Sequence, residues 1–212
     1  MIYYTADQHF GHSNIIGLCN RPYNDIAEMD ENLIINWNST VTADDVVYIL
    51  GDLVFRSGKH ASYYIERLNG VKHLVLGNHD HKWIKNCNLQ KYFASVSYYL
   101  EITDNERRVA LNHYPMLSWG GTARGALHVH GHIHNKREGL VFETLKKMDN
   151  ALNAGVEINE YKPTTLDDLI SNNIRFKGSK AEMQDFLHEP IDKLENKCKN
   201  TVKGEHVKEL KT

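Results

Sequence analysis

The sequence predicts an α/β fold containing a mixed sheet, or two sheets packed together. Two observations predict it. The first half alternates short β-rich runs with amphipathic stretches, as βαβ units do. The second half drops that rhythm for short strands, two of them joined by a hairpin-like turn. Length and composition allow it. A chain of 212 residues, 41% hydrophobic and 25% charged, is an ordinary globular mix that can bury roughly 70% of its unfolded surface.

In chain order, strands are expected at residues 2–6, 46–50 and 73–76. A helix is expected over 27–39, where Met29, Leu33 and Trp37 fall on one face. A shorter helix is expected over 61–68, stopped by Asn69-Gly70. Residues 96–103 and 107–112 read as a hairpin turning near Asp104-Asn105, and 127–130 and 152–156 as further strands. Thr164 and Thr165, followed by Asp167 and Asp168, can cap a helix through Ile170. No linker divides 1–170, which is therefore expected to be one domain. Residues 171–212 form a second region, with nine Lys/Arg against seven Asp/Glu. Ser179 with Glu182 is a capping-box pattern, so a charged helical extension is expected there, a candidate contact for an oligomer or partner.

Several classes are excluded on composition. No run approaches the ~20 apolar residues of a membrane helix. The start MIYYTADQHF lacks the marks of a secretory signal. Cys19, Cys87 and Cys198 form no CxxC pair, which points to a reducing, cytoplasmic setting. The net charge of −2 argues against an extended nucleic-acid surface, though not against a single nucleotide. No GxxxxGK[ST] segment is present, so ATP-driven chemistry is not indicated.

Histidine is the unusual residue. There are 13, and they cluster. Asp7, His9, Asp52, Asn78, His79, Asp80, His113, His132 and His134 are candidate site residues, most of them just past a predicted strand end, where α/β proteins gather functional groups. Oxygen and imidazole donors without thiolate suit Mn²⁺, Fe, Zn²⁺ or Ni²⁺. The set exceeds the need of one ion. Two ions ~3.5–4 Å apart are a device for hydrolysing phosphate esters. His79, next to Asp80, suits proton delivery to a leaving oxygen. The plainer readings are turn residues and hydrogen-bonded core histidines, with His113 the most exposed to that alternative because it stands alone before Tyr114-Pro115. Arg21, Arg56 and Arg124 are candidate phosphate clamps, and His12 is a candidate substrate contact. Tyr114 and Trp119 could stack on a base, with packing as the default for both. Packing is also the default for His128 and His130.

The ordered series Asp7-Gln8-His9, Gly51-Asp52, Gly77-Asn78-His79-Asp80, His113 and Gly131-His132-Ile133-His134 resembles the calcineurin-like metallophosphoesterases. The resemblance covers about residues 1–170. The segment TADQHFGHSNII further resembles a subgroup of small bacterial and phage phosphoesterases. It implies two mixed β-sheets packed as a sandwich with helices outside, an αββα arrangement. It implies that Asp7, His9 and His134 hold a first ion, that Asn78, His113 and His132 hold a second, and that Asp52 bridges them. His79 would serve the leaving group or the phosphate, with Asp80 orienting it. Gly51, Gly77 and Gly131 would let the backbone turn beside the ions. The implied activity is hydrolysis of phosphate esters by a metal-bridging hydroxide, with two divalent ions and Mn²⁺ favoured. Asp after the histidine in GNHD leans toward phosphodiesters, with a nucleotide or cyclic nucleotide as substrate. The alternatives are a phosphomonoesterase acting on a small molecule or protein, and an inactive binding module.

Overall fold

Two four-stranded sheets carry the molecule. In the computed structural model, which describes residues 1–178, the first sheet is β1 (Ile2–Thr5), β2 (Val46–Ile49), β3 (Val71–Val75) and β4 (Ser95–Ser97). It runs in sequence order and is wholly parallel. The second is β5 (Tyr99–Asp104), β6 (Arg107–Asn112), β7 (Leu127–His130) and β8 (Ala151–Asn153). It is the mixed one: β5 and β6 are antiparallel, and the remaining pairs are parallel. The helical extension expected from Ser179 and Glu182 lies outside the described residues.

Alternation along the strands assigns side chains to layers. Tyr4 and Val75 of the first sheet meet Val109, Leu111, Val129 and Leu152 of the second, making the core between the sheets. Tyr3, Val47, Ile49 and Leu74 face the other way, onto helices. These are α1 (Asn14–Leu18), α2 (Ile26–Thr40) and α3 (Ala61–Ile65). Asp25 caps α2 by accepting from Glu28 N at 2.9 Å, and Met29, Leu33 and Trp37 are its buried face, as the spacing requires. Helix α3 ends at Ile65, earlier than expected, and the chain turns back through Gly70 at φ +89. A short α4 (Leu89–Tyr92) leads to β4. On the far side of the second sheet, Ala110 and Ala151 pack with Trp119 and with Leu145 of α5 (Gly139–Leu145). The last helix among the described residues, α6 (Leu166–Lys177), continues past Ile170 and inserts Leu166 and Leu169 into the core between the sheets.

The strand expected over 96–103 is two strands. Tyr98 is a bend at which the chain leaves the first sheet and enters the second. The hairpin turn is Asn105-Glu106, with φ of 46 and 67, the paired left-handed geometry that matches strand twist.

The strand ends position the site. Ala6 pairs with Gly155, so the segments following β1 and β8 are stitched together where the two sheets meet. Asp7 N, His9 N and Phe10 N donate to the carbonyls of Gly51, Asp52 and Leu53. Gly131 N donates to His113 O at 3.0 Å. The carboxyl ends of five strands, β1, β2, β6, β7 and β8, are thereby drawn to one place.

Candidate metal centre

Asp52 Oδ2 lies at the middle of the converging loops. His113 Nε2 is 3.5 Å away, His9 Nε2 3.6 Å and His79 Nε2 3.9 Å. The other oxygen, Oδ1, accepts from His79 N at 2.8 Å. Asp7, His9 and His134 each bring a donor atom within 4.8 Å of the others, and so do Asp7, Asp52 and His113. Asn78 Oδ1 is 2.9 Å from His113 Nε2 and 3.0 Å from His132 Nδ1. Thus Asp7, His9, Asp52, Asn78, His113, His132 and His134, distant in sequence, come together in one cluster.

The donor atoms fit cations. Asp7 is fully buried and His9 is 1% exposed. Yet Asp7 Oδ1 and both ring nitrogens of His9 have no hydrogen-bond partner. Buried polar atoms without partners are rare in folded proteins and call for a ligand. The tautomers agree. His113 Nδ1 sits 2.7 Å from Leu50 O and must donate to it, so in the neutral ring Nε2 carries the lone pair. That lone pair faces the oxygens of Asn78 and Asp52, a repulsive set that a cation turns attractive. Burial pushes the carboxyl of Asp7 up to about 6 and that of Asp52 up to about 7, and a cation between them would reverse that. Burial also holds His9 neutral, well below the usual imidazole range.

The local backbone is specialised for this. Asp7, His9, Asp52, His132 and His134 all lie at φ between 51 and 73, the left-handed region. Gly51 shares it at φ 83, while Gly77 and Gly131 do not. Those two serve by smallness: a Cβ on Gly77 would stand 2.3 Å from Asp52 Oδ1, and one on Gly131 2.8 Å from Asp7 Oδ2.

The family model for calcineurin-like phosphoesterases matches residues 1–210. The chain belongs to that family. An uncharacterized protein of Methanocaldococcus jannaschii is 36% identical over 169 residues, covering 78% of this chain and 87% of its own length. The gene 66 protein of Mycobacterium phage L5 is 29% identical, covering 63% of this chain and 77% of its own. A crystal structure of a protein of unknown function from Aquifex aeolicus superposes with a TM-score of 0.63 at 27% identity, covering 81% of this chain and 98% of its own. With the family goes metal-dependent hydrolysis of phosphoric esters. No helix among the described residues of this phosphoesterase is long and apolar enough to cross a membrane.

Other candidates divide. His12 is 7% exposed, with Nδ1 unpartnered, and packs beside His9 and Phe55 at 5.4 and 4.7 Å between ring centroids. Burial pulls it down to about 4. Arg56 is exposed and lies over the Phe55 ring at 5.1 Å. Both are beside the centre. Arg21 is not a phosphate clamp. Its guanidinium is buried and donates to the carbonyls of Asp7 and Gln8 at 2.7 Å each and to Glu157 Oε1, also at 2.7 Å. It is a brace inside the phosphoesterase, with no donor left facing outward. Arg124 lies in the 3-10 turn Thr122–Arg124, beside Trp119 and away from the donor cluster. Trp119 is itself packed, its Nε1 donating to Ala126 O.

Asp80 also differs from expectation. His79 is not among its hydrogen-bond partners. Oδ2 accepts from Asp52 N and Gly77 N at 2.9 and 2.8 Å, and Oδ1 from Leu53 N and Trp83 Nε1 at 3.0 and 2.8 Å. A fully buried carboxylate saturated in this way ties the Asp52 loop to the Asn78 loop. The His79 ring rests instead on Phe55, at 4.0 Å between centroids. His128 and His130 are packed, as the default reading has it. His128 bridges Ala110 O, Tyr114 O and Met116 N, and His130 bonds Gly131 O.

Sequence reasoning missed Glu157. It lies just beyond β8, and Oε1 accepts from His134 Nδ1 at 2.9 Å. Burial alone would raise its carboxyl, but His134 and Arg21 outweigh burial and hold it down to about 2. Burial would likewise lower His134, yet Asp7 and Glu157 carry it up to about 11. The available signal was an acid four residues after a strand, in a chain whose other strand ends carry ligand-type residues.

Proposed function

We propose that this phosphoesterase is a dinuclear enzyme that hydrolyses phosphodiesters of the nucleotide or cyclic-nucleotide type. Asp7, His9 and His134 would hold the first cation, Asn78, His113 and His132 the second, and Asp52 both. All of these lie before residue 170, so the catalytic unit is assigned to 1–170 and residues 171–212 to an extension. The observation that carries the reading is the set of buried, unpartnered donors on Asp7 and His9 facing Asp52 Oδ2. When bound, two divalent cations neutralise phosphoryl oxygens and acidify water near pH 7. Mn²⁺ is favoured by the mixture of carboxylate, amide and imidazole without thiolate. The free thiols Cys19 and Cys87 accord with a reducing, cytoplasmic setting.

The chain's own groups do the rest. His79, half-buried at the rim and braced by Phe55, would donate a hydrogen bond to the phosphate or to the departing oxygen. His12 and Arg56 line the approach. Burial lowers both His79 and His12 below the usual imidazole range, so the rim is largely uncharged at pH 7. With Arg21 consumed internally, Arg56 supplies a fixed positive charge there. One arginine there, rather than a pair that would clamp a doubly charged monoester, supports the reading of a singly charged diester.

The test compares bis-p-nitrophenyl phosphate with p-nitrophenyl phosphate, using Mn²⁺-loaded protein. The diester should turn over faster, and Asp52→Asn should bring both rates to background. Faster monoester hydrolysis would make the enzyme a phosphomonoesterase. No metal-dependent hydrolysis of either would favour a binding module.

A further inference from the structure

Glu157 lies outside the donor set assigned above, yet it bonds one member directly and reaches a second through Arg21. Its Oε1 accepts from His134 Nδ1 at 2.9 Å, from Arg21 Nη2 at 2.7 Å and from Arg21 Nε at 3.2 Å. The Glu157 side chain is 1% exposed and that of Arg21 0%. Through its other donors, Arg21 holds the carbonyls of Asp7 and Gln8. One buried ion pair therefore reaches both the ring of His134 and the backbone of Asp7. Asn153 Nδ2 fixes the same loop by donating to His134 O at 2.7 Å.

A ring that gives its Nδ1 proton to a carboxylate keeps one orientation and presents Nε2 as a more basic lone pair. His113 is oriented differently, by the neutral carbonyl of Leu50. Its neighbour is the neutral amide of Asn78. The two halves of the centre are thus unequal in charge. Asp7 and Glu157 place two carboxylates around His134, and Arg21 offsets one of them. A buried charge left unbalanced is costly, so the remaining negative charge favours a cation there.

We propose that Glu157, braced by Arg21, is a positioning residue that locks the His134 ring with Nε2 toward the first cation and makes that site the tighter of the two. The inference rests on the cation assignment under Proposed function. Any carboxylate near the centre would add charge, but only one bonded to Nδ1 would also change the ligand field at His134.

The experiment uses the full chain, freed of metal by chelation and titrated with Mn²⁺, with Co²⁺ absorption as an independent readout. The wild-type protein should bind two Mn²⁺ with distinct affinities. Glu157→Gln should weaken the tighter site by roughly 10–100-fold, leave the weaker one unchanged and shift the Co²⁺ spectrum. Glu160→Gln, an exposed neighbour, should change nothing. Should Glu157→Gln fail to fold, Arg21→Lys, which keeps the charge but not the fork, should weaken the same site by a smaller factor. Unchanged affinities and an unchanged spectrum in the folded variant would overturn the proposal. If the wild-type protein binds a single Mn²⁺, the two-ion reading falls, and Glu157 is then judged by whether Glu157→Gln weakens that one ion.

Discussion

Five of the assigned ligands hold the left-handed backbone conformation: Asp7, His9, Asp52, His132 and His134. For an L-residue that costs roughly 1–2 kcal/mol each. The two short motifs, Asp-x-His and His-x-His, adopt it at both of their outer residues. The chain is bent there so that alternate side chains point the same way, into the cluster. Asp80 holds this geometry from beneath. Asp80→Asn replaces an acceptor by a donor and strands two of the four N–H groups it serves. We expect a loss of roughly 2–4 kcal/mol, seen as a melting temperature lower by about 2–4 °C per kcal/mol, together with a fall in activity. A melt matching wild type would contradict the bracing role. At this scale the residues that converge on Asp52 were legible because they follow strand ends in short motifs, with the lone His113 as the exception. The roles of Arg21 and Asp80 were not. Arg21 meets Glu157 across 136 positions, and Asp80 turns toward backbone N–H groups that no sequence pattern displays.

Elements were read well where periodicity is strong. Trp37, Leu33 and Met29 define α2, the apolar run Val109-Ala110-Leu111 marks β6, and the alternating Leu-His-Val-His marks β7. The misreading at 96–103 has a physical cause. One apolar-alternating run serves two sheets, and the bend at Tyr98 is stabilised by a distant group, since Asn112 Nδ2 donates to Tyr98 O at 2.9 Å. Helices α1 and α5 escaped notice because they are short and owe their existence to tertiary packing rather than propensity. The two sheets are also tied by a polar contact. Tyr4 OH of β1 donates to Asp104 Oδ2 of β5 at 2.9 Å, with both groups buried. Tyr4→Phe removes the donor to a buried carboxylate, and should cost about 1.5–3 kcal/mol in a denaturant melt. Neither Tyr4 nor Asp104 is among the candidate donors, so kcat should be kept.

For the whole molecule, the buried imidazoles set the response to acid. Burial lowers His9, His12, His73, His79, His128, His130 and His132. A base lowered in the folded state stays neutral there, while the unfolded chain takes up protons below about 6.5. Their contribution is therefore full above about pH 6.5 and is lost as pH falls. Asp7 and Asp52, raised to about 6 and about 7, act in the opposite sense, as does His134, raised to about 11. The lowered imidazoles outnumber them. Metal-free protein should accordingly lose melting temperature steadily from pH 6.5 to pH 4. A flat profile would mean that these rings are solvated in solution.

The crossing at Tyr98 has one more consequence. It divides the candidate donor side chains between the two stretches of chain it joins: Asp7, His9, Asp52 and Asn78 before it, His113, His132 and His134 after it. On the assignment proposed above, each cation would draw ligands from both stretches. Severed at that bend, the protein would become a split pair whose halves are reunited by the ion they share.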